Sequence, residues 1–312
     1  MRQTTQETIL TPKTRFAVDA RRPKAMAMPR SVLVGLVGKA IGLSRSPAMH
    51  EMAGSAQDLR LVYRLFDTDA MGDEPPSLGE IIRAAEIAGF AGLNVTYPYK
   101  IEAMEFLDEI SDAARKVGAV NTITFRDGRR HGHNTDIWGF AESFRQRLAG
   151  VATGRVVQLG AGGAGAAVAN ALLDLGVETL ALLDPDTDRG IELTSRLCRL
   201  HGAGRAILID DLATFATSGI DGVVNASPVG MAKFPGSPFP VSLLKPQIWV
   251  ADIVYFPLET ELLSAAKAAG CRVMNGSGMA LYQAVRAFEL FTGLKPDMAV
   301  MEATFSAFDT AT

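Results

Sequence analysis

The six residues Gly160-Ala161-Gly162-Gly163-Ala164-Gly165 fit the pattern GxGxxG. The apolar run Val156-Val157-Gln158-Leu159 precedes them, and Ala166, Ala167, Val168, Ala169, Ala171 and Leu172 follow. The next apolar run ends at Asp184, 24 positions after Gly160. A dinucleotide needs these parts in this order: glycines for a tight turn, helix N-terminal amides for the pyrophosphate, and an acid for the adenosine ribose. A ligand-free βα turn accounts for the glycines alone; strand, turn, helix and acid together favour the nucleotide. A carboxylate at Asp184 accepts from ribose hydroxyls and repels a 2′-phosphate, so the expected cofactor is NAD. Arg189 keeps NADP open, although a solvated helix position is its simpler reading.

Upstream, four short segments set polar side chains at the ends of apolar runs, where an α/β sheet presents its ligand. They are Ser44-Arg45-Ser46-Pro47, Asn94-Val95-Thr96-Tyr97-Pro98-Tyr99-Lys100, Gly118-Ala119-Val120-Asn121-Thr122 and Gly132-His133-Asn134-Thr135-Asp136. Lys100 is the first candidate for proton transfer. If Pro98 opens a helix, Lys100 lies in its first turn, where the helix dipole opposes a cation and lowers the lysine pKa. Such a lysine suits acid–base work; an exposed, idle lysine is the plain alternative. Asp136 reads equally well as the N-cap of the helix after it.

The elements that must position these groups alternate. Strands are expected at 31–37, 61–67, 90–95 and 118–125, with helices at 77–88 and from Pro98 to about 110. Ser46 is expected to cap a helix with Pro47 at its first position. After a connecting helix at 137–148, strands are expected at 155–159, 179–183, 206–209, 222–225, 248–254 and 272–274. A last helix at 278–291 is expected to return to the first unit. This is an α/β fold of two domains with a cleft between them. Residues 31–136 plus 277–312 form the substrate and catalytic domain, and 137–276 the Rossmann-like NAD(P) domain.

Composition excludes other classes. The 312 residues carry a net charge of -3, too little to draw nucleic acid or an anionic lipid surface. No apolar run is long enough to cross a membrane. Two cysteines and four histidines lack metal-ligand spacing, so no metal is expected. The expectation is a cytoplasmic protein, monomer or homodimer, acting on a small molecule. Residues 1–30 differ. They are rich in arginine and lysine and poor in acid, as a transit peptide is. Pro12, Pro23 and Pro29 interrupt an amphipathic helix, which favours a flexible tail or a start assigned too early.

The four polar segments, followed by the glycine loop, resemble the shikimate dehydrogenase family in order and content. Later segments agree: Asn225-Ala226-Ser227-Pro228-Val229-Gly230-Met231, Asp252-Ile253-Val254-Tyr255, and Gly278-Met279 leading to Gln283. The resemblance spans 31–312 and is strongest to the quinate/shikimate dehydrogenases that use NAD. It implies oxidation of the C3 hydroxyl of shikimate or quinate to the 3-dehydro ketone. Lys100 then shuttles the hydroxyl proton and Asp136 orients the hydroxyl. Ser44, Ser46 and Tyr255 hold the carboxylate, while Asn94, Thr96, Asn121 and Gln283 bond ring hydroxyls. Gly160, Ala161, Gly162, Gly163 and Ala164 hold the pyrophosphate. Val254 and Met279 border the nicotinamide, and Ala226 and Gly276 complete the cofactor set. Two alternatives stay open. One is a biosynthetic NADP-dependent enzyme reducing 3-dehydroshikimate, which a serine at Ser46 weakly favours. The other is a non-catalytic, ligand-binding homologue. His133 departs from many members of the family, which carry an acid or aromatic residue there, and is given no role.

Overall fold

A computed structural model describes residues 30–310; apart from Arg30, the expected tail lies outside the described residues. The chain builds two six-stranded sheets, each between helical layers. The first contains β1 (Ser31–Gly38), β2 (Arg60–Asp67), β3 (Gly92–Val95), β4 (Glu109–Ile110), β5 (Thr122–Arg126) and β6 (Arg129–His133), in the order β2-β1-β3-β5-β6-β4. β1 runs parallel to β2 and β3, whereas β5 is antiparallel to both β3 and β6. The alternation of strand and helix predicts a mostly parallel sheet, and three of its five pairings are parallel. The antiparallel strand β6 was not expected; it follows the turn at Asp127-Gly128, which closes a tight hairpin with φ of 54° and 70°.

Helix α1 (Ser46–Ser55) covers one face of this sheet and α2 (Leu78–Ile87) the other. α2 starts as its sequence dictates. Ser77 accepts from the Glu80 amide, and the Glu80 carboxylate accepts from the Ser77 amide. α1 does not: its N-cap is Arg45 without a side-chain cap, and Ser46 is the first helical residue. Short α3 (Asp112–Val117) ends at Gly118, whose φ of 69° stops it. The strand expected from 118 therefore starts only at Thr122.

α4 (Asp136–Arg147) leads into the second sheet, made of β7 (Arg155–Leu159), β8 (Thr179–Leu183), β9 (Ala206–Leu208), β10 (Gly222–Asn225), β11 (Trp249–Asp252) and β12 (Val273–Met274). All its pairs are parallel, in the order β12-β11-β10-β7-β8-β9. The strand order reverses beside β7, the crevice where such sheets take ligands. α4, α5 (Gly163–Asp174) and α6 (Thr187–His201) cover one face; α7 (Leu212–Thr217) and α8 (Glu261–Ala268) cover the other.

Two helices close the chain, α9 (Ser277–Thr292) and α10 (Met298–Thr310). Leu281, Val285, Phe288 and Phe291 of α9, with Met301 and Phe305 of α10, pack into the core beneath β1 and β2. α10 was not foreseen. It is tied down by Arg45, whose guanidinium donates to the Phe305 carbonyl at 3.0 Å and lies 4.6 Å from the Phe305 ring centroid. α4 and α9 approach closely at Gly139, where a Cβ would meet the Gln283 amide and the Met279 carbonyl at 2.8 Å. That contact brings the start of α4 beside the α9 residue Gln283.

Candidate active site

Three segments converge at the end of β3, laced by backbone hydrogen bonds. The Val95 amide donates to Asn121 O at 2.8 Å, the Asn121 amide to His133 O at 3.0 Å, and the Val120 amide to Lys100 O at 2.8 Å. This places Lys100, from the turn after β3, against Asp136 at the start of α4. Lys100 Nζ donates to Asp136 Oδ2 at 2.7 Å, with the side chains 21% and 9% exposed. A mostly buried charge-assisted bond between residues 36 positions apart is strong and geometrically fixed.

The helix expected from Pro98 does not form. The chain makes turns over 97–101, a 3₁₀ helix at Glu102–Phe106 and the short strand β4. The Lys100 carbonyl is taken by the Val120 amide rather than by an amide one turn ahead. The helix-dipole argument for Lys100 therefore falls, and its functional claim rests on the contact with Asp136. Asp136 is not the N-cap either. Thr135 holds that position without a side-chain cap, and Asn134 Oδ1 accepts from the Asp136 and Ile137 amides. The Asp136 carboxylate is thereby left to Lys100.

Asn94 and Asn121 are buried beside this pair. Asn121 Oδ1 accepts from the Thr135 amide at 2.8 Å, and its Nδ2 donates to Thr135 Oγ1 at 2.9 Å. Asn94 Nδ2 donates to Thr122 Oγ1 at 3.0 Å and to Asn121 O at 3.3 Å. Thr96 follows Asn94 at the strand end, half-buried, with its amide bonded to Val37 O at 3.0 Å. Ser44 and Ser46 stay together, since the Ser46 amide donates to Ser44 Oγ at 3.3 Å. Gln283 turns its amide onto its own helix, donating to Ala280 O at 3.0 Å. Tyr255 lies 47% exposed after β11, and among the described residues no hydrogen bond joins it to either serine.

The glycine loop sits where β7 meets α5. Gly160 has φ of 103°, and a Cβ on it would lie 2.6 Å from Ala226 O. The ends of β7 and β10 thus touch, and only glycine fits. A Cβ on Gly165 would lie 2.4 Å from Gly160 O, while Cβ atoms on Gly162 and Gly163 would meet nothing within 4 Å. α5 begins at Gly163 with no side-chain cap, with Ala164 in its first turn, so its first amides face that open space. A pyrophosphate fits such a terminus. Gly160→Ala is expected to cost about 1–3 kcal/mol of stability; an unchanged denaturation midpoint would contradict the close approach.

Asp184, at the end of β8, is nearly buried. Its Oδ2 accepts from the Ala161 amide at 2.6 Å and its Oδ1 from the Asp186 amide at 2.9 Å. Arg189 is half exposed in the first turn of α6, 3.6 Å from Asp184 and 2.9 Å from Asp186. Gly276 packs its Cα against the backbone after β11, where a Cβ would lie 2.4 Å from Ile253 O. That brings Val254 and Met279, both buried, to the same rim.

Several supporting residues escaped the sequence. Gln158 donates to Gly160 O and Gly165 O at 2.8 and 2.9 Å, bracing the loop. Asp252 accepts from Asn225, Thr260 and the Val254 amide; burial raises its pKa against these three donors. Tyr63 donates to Asn94 Oδ1 at 2.8 Å. A glutamine just before a glycine loop was a usable signal, and Asp252 opens the segment Asp252-Ile253-Val254-Tyr255; for Tyr63 there was none. His133 contacts Thr124 at 3.4 Å, and its pKa is lowered to about 4, chiefly by burial and then by His131, Arg286 and Arg126. It makes no contact with Lys100 or Asp136.

Comparison with known proteins agrees with this arrangement. Residues 36–123 match the shikimate dehydrogenase substrate binding domain, and residues 276–304 the shikimate 5'-dehydrogenase C-terminal domain. The shikimate dehydrogenase (NADP(+)) of Streptomyces avermitilis is 50% identical over 275 residues, covering 88% of this chain and 94% of that one. The chain belongs to the shikimate dehydrogenase family. A second relative, the quinate/shikimate dehydrogenase (NAD(+)) of Corynebacterium efficiens, is 47% identical over 277 residues, covering 88% of this chain and 98% of that one. The structure of quinate dehydrogenase from Corynebacterium glutamicum in complex with NAD superimposes with a TM-score of 0.86. It is 44% identical and covers 89% of this chain and 99% of that one. Family membership accounts for both sheets and for the return of α9 to the first.

Proposed function

We propose that the chain is a quinate/shikimate dehydrogenase that oxidises the C3 hydroxyl of its substrate with NAD. The observation that carries this reading is the bonded Lys100–Asp136 pair at the end of β3. When bound, the nicotinamide supplies a hydride acceptor. The chain's own part is to remove the hydroxyl proton while the carbonyl forms. Lys100, being partly exposed, first gives an ammonium proton to water, and the amine so formed takes the hydroxyl proton, so that one proton leaves to solvent per turnover. Asp136 holds the hydroxyl and the ammonium in one geometry. Ser44, Ser46 and Tyr255 receive the carboxylate; Asn94, Thr96, Asn121 and Gln283 meet the ring hydroxyls with neutral donors and acceptors. Gly160–Ala164 and the start of α5 receive the pyrophosphate, Asp184 the ribose, and Ala226, Val254, Gly276 and Met279 the nicotinamide side.

A second reading is a biosynthetic enzyme using NADP. Identity to the Streptomyces relative supports it, as does Arg189, which is free to swing from Asp186 toward a phosphate. Asp184 opposes it, because a nearly buried carboxylate stands where a 2′-phosphate would come. A ligand-binding homologue without catalysis is disfavoured by the intact pair. Among the described residues no helix is long and apolar enough to cross a membrane. A cytoplasmic setting fits that fact and the small polar substrate. Initial rates with quinate and shikimate, each with NAD and NADP, test the proposal. Turnover with NAD, on quinate or on both acids, is expected; near-zero quinate turnover with a strong NADP preference would overturn it.

A further inference from the structure

Asn94 does not stand alone. A directed series of side-chain hydrogen bonds runs through buried groups from β2 to the start of α4. Tyr63 OH donates to Asn94 Oδ1 at 2.8 Å, Asn94 Nδ2 to Thr122 Oγ1 at 3.0 Å, Thr122 Oγ1 to Asn121 Oδ1 at 3.1 Å, and Asn121 Nδ2 to Thr135 Oγ1 at 2.9 Å. Thr135 immediately precedes Asp136. Each amide is thereby oriented: with Tyr63 donating, Asn94 must keep its oxygen toward the phenol and its nitrogen toward Thr122. The Asn121 carbonyl, which only accepts, fixes this orientation, because a flipped amide would turn the Asn94 carbonyl against it.

The Tyr63 ring is held for this purpose. It is buried against the His50 imidazole, at 5.0 Å between centroids, and His50 in turn lies against Phe288 and Phe291. Neither His50 nitrogen has a hydrogen-bond partner among the described residues, and burial lowers its pKa to about 3, so it packs as a neutral ring. The phenol is thus the polar end of the stack, with Asn94 as its acceptor.

We propose that Tyr63 is a positioning residue that locks the Asn94 amide in the arm that meets the ring hydroxyls. It acts on how the acid is held, not on proton transfer. This rests on the reading that Asn94 binds the acid. Tyr63→Phe keeps the ring and its stack and removes the phenol oxygen alone. The KM for the acid is expected to rise about 3- to 10-fold, the effect of one hydrogen bond. kcat is expected to stay within about two-fold and the KM for the dinucleotide to stay unchanged. Thr122→Val, which interrupts the same series one step on, is expected to give the same signature. Asn94→Ala with Tyr63→Phe is expected to be no worse than Asn94→Ala alone, since Tyr63 works through Asn94. An unchanged KM in Tyr63→Phe, additive effects in the double variant, or a loss spread equally over kcat and both KM values would overturn the proposal. A wild-type protein that turns over neither shikimate nor quinate would instead remove the activity reading on which it rests.

Discussion

Lys100→Ala is expected to lower kcat at least about 10²-fold, the range for loss of a positioned acid–base group. The KM for the acid should change little. Its other proposed contacts come from separate elements: the Ser44–Ser46 corner, the end of β3, and Gln283 on α9. The substitution leaves Asp136 buried and without its cation, so some loss of stability is also expected. Thermal unfolding of the variant separates that loss from the kinetic one. Asp136→Asn is the companion test: the shape is kept, the charge goes, and kcat should again fall. If Lys100→Ala turned over normally, the pair would be structural and the proposed mechanism would be lost.

The second large effect concerns the dinucleotide. Asp184→Asn is expected to shift the ratio of kcat/KM for NAD over NADP toward NADP by about 10²-fold. A carboxylate about 4 Å from a phosphate charge repels it by about 4 kcal/mol at an effective dielectric of 20. Arg189 offsets part of that repulsion, leaving enough for about two decades. Asparagine cannot replace both acceptors, because Oδ1 and Oδ2 each hold a backbone amide. Some loosening of the glycine loop should therefore appear as weaker binding of both nucleotides. The ratio, not either absolute value, is the readout. A ratio unchanged within about three-fold would mean that Asp184 only braces the loop, with cofactor choice set elsewhere.

Asp184 also marks where the sequence was readable. Its place in the loop follows from local order, since strand, glycines, helix and acid succeed one another within one βα unit. The parallel second sheet was legible too: its strands are short, mostly apolar runs, as strands buried on both faces are. Lys100 shows the limit. Pro98 was read as a helix start, but the carbonyl that would have served the helix is claimed by Val120, 20 positions away in a different segment. Proline marks a break in the chain equally before a helix and in a turn, and only the tertiary partner decides. β6 was missed because Arg129-Arg130-His131-Gly132-His133 has no apolar alternation; it is held by pairing with β5. α10 was missed because its anchor, Arg45, lies 260 residues earlier. The polar side chains proposed to touch the acid stand out in the sequence at the ends of apolar runs. Tyr63, which bonds Asn94, looks from sequence like an ordinary strand residue.

The most direct test of the mechanism is a crystal structure of the chain with its acid and the reduced dinucleotide, a pair that cannot react. One ring hydroxyl is expected within about 2.6–3.2 Å of both Lys100 Nζ and the Asp136 carboxylate, its carbon facing the nicotinamide. An acid bound with every hydroxyl beyond hydrogen-bond reach of Lys100, or with the carboxylate rather than a hydroxyl against Lys100, would contradict the proposed chemistry.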